Sequence, residues 1–318
     1  MRVRKAVITA AGRGVRLYPA ADTVQKAMLP LMDRDGLAKP VIQIIAEEAL
    51  ESGIEEIVVV CAPGDENDYR KQFQELRDNL MDAHRGADWA RVQADRLANL
   101  AGRLRFAEQH EAFGYGHAVY TARDLIGDEP FLLLLGDHLY VSRVEGERCA
   151  QQLLCVARKE DCTVAAVQST REHLVGRYGT LSGKRLPGRD AAYQIERIIE
   201  KPSLSKAELE LHTPGLRVGH YLCFFGMYVL TPAVFELLEP MVNAAKRGGD
   251  VPLTTALDEL ARHEKCLALE VKGSRFDIGA KFGLLQAQLA LGLAGADREE
   301  MLTVVLELLA ESARQWQK

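Results

Sequence analysis

Apolar and polar positions along the chain fall into blocks whose period changes in an ordered way. From Lys5 the short apolar run AVITA predicts a first strand, and a glycine-rich polar loop then extends to about Pro30. Apolar residues at helical spacing from Val41 to Glu51 predict a helix that stops at Ser52-Gly53. The next run, IEEIVVVCAP, is β-branched and apolar without alternation, the pattern of a strand buried on both faces. Between Tyr69 and Arg103 a charged stretch carries apolar residues at mixed helical spacings and predicts two surface helices broken at Gly86. LRFAEQ predicts a third strand, GHAVYTARDLI a helix, and FLLLLGD a fourth strand ending on an aspartate.

After Tyr140 a helix is expected over VEGERCAQQLLCVARKE, then a strand over CTVAAVQ. Residues 171 to 230 change texture: VGRYGTLSG, AYQIERIIEKP and VGHYLCFFGMYVL run as strands between Gly and Pro turns. The helical pattern returns in AVFELLEPMVNAAK and LTTALDELARH, followed by the strand LALEVKG and the helix AKFGLLQAQLALGLA. In the last segment Met301, Leu302, Val305, Leu308 and Leu309 form a stripe that docks on the body or on a second subunit. The β-α-β alternation predicts an α/β protein with a Rossmann-like, doubly wound mixed sheet, a smaller antiparallel extension and a C-terminal helix. Ligands of such sheets bind beyond the carboxyl ends of the strands.

Composition narrows the choice of partners. With 45 acidic against 40 basic side chains, the net charge of −5 argues against nucleic acid as a partner. No stretch approaches the roughly 18 apolar residues of a membrane span. The basic, short apolar start reads as a strand and not as a signal peptide, and a cytoplasmic location is expected. The six cysteines contain no CxxC pair, which disfavours a zinc site or a disulfide framework.

The segment from Ala10 to Pro19, with Gly12 and Gly14, followed by Lys26 in QKAMLP, carries the most chemistry. Two glycines alone make a tight turn. Here they follow a buried strand and stand among Arg13, Arg16 and Lys26, so close backbone approach and fixed cations combine into an anion site suited to a polyphosphate. The spacing matches neither GxxxxGK[ST] nor GxGxxG.

At these residues the chain resembles the sugar-1-phosphate nucleotidyltransferases, whose signature runs GxGTRLxPxTxxxPKxMLP. Gly12, Gly14, Arg16, Leu17, Pro19, Lys26 and Met28-Leu29-Pro30 match it. The resemblance continues through EEALESGIEEIVVV, GYGHAVYTARDLIGDEPFLLLLGD, IIEKP and SRFDIGAKFGLLQA, and is strongest to the bacterial branch that uses UTP and glucose 1-phosphate. It implies a catalytic domain over 1–295, and a helix over 296–318 that packs or makes a homodimer or homotetramer.

The reaction so implied is attack of a sugar 1-phosphate on the α-phosphorus of a nucleoside triphosphate, which needs positioning and charge neutralisation more than covalent help. By the resemblance, Arg16 and Lys26 bind and activate the triphosphate, and Asp137 and Asp277 share one Mg²⁺. Lys201 contacts the sugar phosphate, Glu200 a sugar hydroxyl, and the Gly179 backbone the sugar. Gln109 reads the pyrimidine edge, while Ala10, Ala11 and Gly116 approach the base. By themselves, aspartates at strand ends are commonly turn formers, and His117 is as readily a helix-start residue as a substrate contact. The chain departs from the family pattern at Val15, Gln25, His138 and Thr255, where threonine, proline, a second acidic residue and aspartate are usual. The departures motivate one alternative, a non-catalytic regulatory paralogue, and Gln109, which suits uridine and thymidine alike, leaves another, a dTTP-using enzyme.

Overall fold

Apolar runs without alternation need cover on both faces, and the fold supplies it. The structure, a computed structural model, describes residues 1–12, 14, 25–189, 191–246 and 248–315. The first half runs β1 (Lys5–Thr9), the short antiparallel pair β2 (Pro30–Met32) and β3 (Ala38–Pro40), α1 (Val41–Leu50), β4 (Glu56–Cys61), α2 (Asp65–Ala83), α3 (Asp88–Arg103), β5 (Leu104–Glu108), α4 (Tyr115–Thr121), α5 (Arg123–Ile126), β6 (Phe131–Leu135), β7 (His138–Ser142) and α6 (Cys149–Glu160). The second runs β8 (Thr163–Arg171), β9 (Thr180–Arg185), β10 (Ala192–Ile199), α7 (Leu204–Glu210), β11 (His220–Leu230), α8 (Ala233–Ala245), α9 (Leu253–His263), β12 (Cys266–Glu270), β13 (Gly273–Asp277), α10 (Gly283–Leu293) and α11 (Arg298–Gln315).

Nine strands form one sheet in the order β5-β4-β1-β6-β11-β8-β12-β10-β9. β5, β4, β1 and β6 are mutually parallel. β11 then enters antiparallel to both β6 and β8, β12 lies parallel to β8, and β10 and β9 close the edge antiparallel. Alternate residues of the central strands face opposite layers. Ala6, Ile8, Ile57 and Val59 pack with Ile42, Ile45 and Leu153 of α1 and α6, while Val7, Val58, Val60 and Leu133 pack with Val119, Val234 and Leu257 of α4, α8 and α9. The sheet is therefore covered by helices on both sides, as the unalternating runs require.

The antiparallel extension is continuous with the main sheet. Three features differ from the sequence expectation. The helix expected from Val144 starts only at Cys149, because Gly146 sits at φ +71 in a left-handed turn. The segment read as one helix after Gly116 is two, α4 and α5, meeting at Ala122. A two-stranded ribbon, β7 with β13, went unread, and it carries the site. At the far end, Met301 and Val305 of α11 are half-buried, and Met301 packs on α10 at Gly292. Leu302, Leu308 and Leu309 of the same stripe are exposed, together with Val304 and Leu306.

Candidate active site

The carboxyl ends of β1 and β6 run on together beyond the sheet. The Ala10 N–H donates to the Val60 carbonyl at 2.7 Å, and the Gly136 N–H donates to the Thr9 carbonyl at 2.9 Å. A Cβ at Gly136 would lie 2.5 Å from that carbonyl oxygen, so glycine is what lets the β6 end close onto the first loop. That closure delivers Asp137 beside residues 10–12. Opposite, a single 3-10 turn, Lys26–Met28, presents Lys26. Its Nζ donates to Asp137 Oδ2 at 2.6 Å, with the two side chains only 11% and 19% exposed. Gln25, where the family has proline, holds φ −58, the value a proline ring would impose. The backbone leading into Lys26 thus keeps the proline conformation without the ring, and among the described residues the buried Gln25 Oε1 has no hydrogen-bond partner.

Asp277 reaches the same place through the ribbon. β7 and β13 pair antiparallel with His138 directly opposite Asp277, and the Ile278 N–H donates to the Asp137 carbonyl at 3.0 Å. The Gly279 N–H fixes Asp277 Oδ1 at 2.9 Å. His138 Nδ1 stands 2.8 Å from Asp137 Oδ1. One donor atom each from Asp137, His138 and Asp277 lie within 4.8 Å of one another. Burial alone would push the Asp137 carboxyl up, but the hydrogen bond and charge of His138 and the Lys26 ammonium outweigh it and hold the group well below the usual carboxylate range.

A cavity of about 600 Å³ opens on this cluster, lined among others by Ala10, Ala11, Gly12, Lys26, Gln109 and Asp137. That volume suits a nucleotide-sized ligand. Gln109 continues the β5 ladder through its N–H to the Cys61 carbonyl, at 2.8 Å, and its Nε2 lies 3.0 Å from His117 Nδ1. The histidine therefore orients the amide from the start of α4. Gly116 is not on the wall: it is buried and its N–H is taken by the Val251 carbonyl at 2.7 Å. Gly114 and Tyr115 line the cavity instead, residues the sequence reading passed over although they stand in the same GYG run. Gly14 adopts φ +65; Arg13, Val15 and Arg16 lie outside the described residues.

Gly179, Glu200 and Lys201 gather at the ends of β9 and β10. A Cβ at Gly179 would fall 2.7 Å from the Phe224 ring, 2.9 Å from Thr254 Cγ2 and 3.1 Å from Glu200 Oε2, so no side chain fits. Lys201 sits at φ +42, a conformation that costs a non-glycine residue about 1 kcal/mol or more, and its Nζ is 3.4 Å from Glu200 Oε1. Glu200, Thr254 and Thr255 border a separate cavity of about 530 Å³. Arg275, which the sequence reading did not single out, ties this region to the ribbon. Its Nη1 donates to the Phe224 carbonyl at 2.8 Å, its guanidinium stacks 4.1 Å over the Tyr178 ring, and Phe224 N–H in turn donates to the Gly179 carbonyl at 2.9 Å.

What this crevice offers a nucleotide is what one family's sequence pattern encodes: the profile of the nucleotidyl transferases matches residues 5–292, and the chain belongs to that family. It is 35% identical over 308 residues, 96% of its length and 95% of the relative's, to the UTP–glucose-1-phosphate uridylyltransferase YngB of Bacillus subtilis (strain 168). A UTP–glucose-1-phosphate uridylyltransferase of Streptococcus pneumoniae is 34% identical over 296 residues, covering 92% of this chain and 91% of that one. Among solved structures, a UTP-bound UGPase from Acinetobacter baumannii superposes with TM-score 0.74 at 26% identity, over 96% of this chain and 100% of the other. A UDP-glucose pyrophosphorylase complexed with UDP-glucose gives 0.71 at 27% identity, over 91% and 98%.

Proposed function

We infer that the chain is a UTP–glucose-1-phosphate uridylyltransferase, joining glucose 1-phosphate to the α-phosphorus of UTP and releasing pyrophosphate. The observation that carries this reading is the near full-length similarity to uridylyltransferases of that activity, and the charge arrangement at the strand ends supports it.

In this reading the backbone of Ala10, Ala11, Gly12 and Gly14 and the Gln109 amide receive the nucleotide, while Gly116, sealed against Val251, does not. Arg16 and Lys26 bind its phosphates. Lys26 is already held at 2.6 Å by Asp137, so its ammonium is positioned before substrate arrives and is spared the entropic cost of ordering. Gly179 gives the sugar close backbone access, Glu200 accepts from a hydroxyl, and Lys201 meets the sugar phosphate with a charge-assisted hydrogen bond. Asp137 and Asp277 fit a divalent cation, since two carboxylates from strands far apart in sequence converge within 4.8 Å. We propose Mg²⁺, which when bound supplies charge neutralisation at the phosphate under attack.

Residues 1–295 are proposed as the catalytic domain and 296–318 as a C-terminal segment whose helix α11 packs on the body or makes a homodimer or homotetramer. Among the described residues no helix is long and apolar enough to cross a membrane, and we propose a cytoplasmic enzyme. The test is to incubate the protein with Mg²⁺, glucose 1-phosphate and each nucleoside triphosphate in turn and to measure pyrophosphate. Release with UTP is expected. Preference for dTTP replaces the nucleotide assignment, and release with none replaces the enzyme by a regulator.

A further inference from the structure

The histidine that stands where an acidic residue is usual changes the donor set of the cation site. His138 is 6% exposed, and its ring packs on the β11 backbone at Gly226, where a Cβ would come within 3.4 Å of Cδ2. Because His138 and Asp277 are directly opposed partners in an antiparallel ribbon, their side chains project from the same face. Asp137 divides its two oxygens between neighbours, Oδ2 to Lys26 and Oδ1 to His138 Nδ1 at 2.6 and 2.8 Å. Two donors at about 2.0–2.2 Å from one ion lie about 3 Å apart when adjacent and somewhat over 4 Å when opposite. The 2.8 Å separation and the 4.8 Å span of the three groups bring all three donors within a small adjustment of a single cation.

We propose that His138 is itself a ligand, so that the cation is held by Asp137, Asp277 and the His138 Nδ1, and that this nitrogen raises the site's affinity for transition-metal divalent ions relative to Mg²⁺ beyond what an acidic residue at 138 would give. An imidazole nitrogen is a softer donor than carboxylate oxygen or water, and it raises affinity for ions such as Co²⁺ or Zn²⁺ while adding little for Mg²⁺. The proposal rests on the nucleotidyltransferase reading only in requiring a divalent cation at Asp137 and Asp277.

The test uses the full chain with Mn²⁺ as the paramagnetic probe and Co²⁺ against Mg²⁺ for preference. Pulsed EPR of the Mn²⁺-loaded protein should show a directly bound ¹⁴N that becomes ¹⁵N when the histidines are isotopically labelled and disappears in His138→Gln. In His138→Asp the ratio of Co²⁺ to Mg²⁺ affinity should fall by about tenfold or more. The labelled wild-type protein gives its answer whether or not the variants fold. Mn²⁺ binding that is lost in Asp277→Asn but shows no histidine nitrogen overturns the ligand role of His138 and leaves the uridylyltransferase reading intact. Mn²⁺ binding unaffected by Asp137→Asn and Asp277→Asn overturns both the proposal and the carboxylate assignment beneath it.

Discussion

Where Lys26 meets Asp137, the two side chains are 11% and 19% exposed and lie 2.6 Å apart, whereas Glu200 and Lys201 stand 39% and 60% exposed at the end of β10, 3.4 Å apart. The first pair sits where parallel strands end together, a place at which adjoining loops converge by topology alone. The second sits at the antiparallel edge of the sheet, where position is held by close packing around Gly179 and by the left-handed backbone of Lys201. The end proposed to take the nucleotide is thus prearranged electrostatically and the end proposed to take the sugar sterically. Long-range charge is strong where water is excluded and weak where it is not, so the two ends should respond differently to the same kind of change.

The harshest way to break this contrast is Asp137→Asn. It keeps the shape but removes the charge that pairs Lys26 and serves the cation, and kcat should drop about a thousandfold or more. Steady-state kinetics at saturating UTP check it, and near wild-type turnover would remove Asp137 from the machinery. Lys201→Ala should act on one substrate: the KM for glucose 1-phosphate rises about tenfold with that for UTP nearly unchanged, the value of one charge-assisted contact. An equal rise for both substrates would erase the division into two ends.

Gly179→Ala probes the steric end directly. With Phe224 and Thr254 inside 3 Å of the new Cβ, urea unfolding should show a loss of about 1–3 kcal/mol, and sugar phosphate binding should weaken with it. Unchanged stability would mean that the glycine is not held tightly. A further effect concerns burial under α1. Glu48 of α1 accepts the Ala150 N–H at 2.9 Å, and burial pushes its carboxyl up to about 7. A carboxyl with a raised pKa binds its proton more tightly folded than unfolded, so its contribution to stability falls as pH rises from about 4.5 to about 7. The stability difference between Glu48→Gln and wild type should therefore shift toward the variant across that interval, read from melting temperatures at pH 5 and pH 8. A constant difference would show that burial exacts no ionic cost there.

Much of the fold was legible because its signals are local. The unalternating runs of β1, β4 and β6 and the exact span of α9 over LTTALDELARH needed only period and length. The ribbon did not announce itself: HLYVS and GSRFD are short and partly polar, and each finds its pairing partner more than a hundred residues away. The meeting of Asp137 with Asp277 was consequently available only from resemblance. The antiparallel extension was legible as strands but not in its strand order, because strand texture reveals that strands exist, while the insertion of β11 between β6 and β8 is a tertiary choice. Gly114 caps α4 and Gly116 lies in its first turn, and the backbone alone decides that the first reaches the cavity while the second is sealed against Val251.

The ribbon also sets a timetable. A chain emerging from the ribosome exposes its loops at β1 and β6 early, and domains assemble as their segments become available. Yet β12, which must slot between β8 and β10, and β13, which carries Asp277, arrive only after residue 265. Through most of its synthesis the nascent chain holds one carboxylate of the proposed cation site and not the other. On the proposed reading activity is thereby withheld from every truncated product that stops short of Asp277, and the central sheet and that site are completed in nearly the same moment.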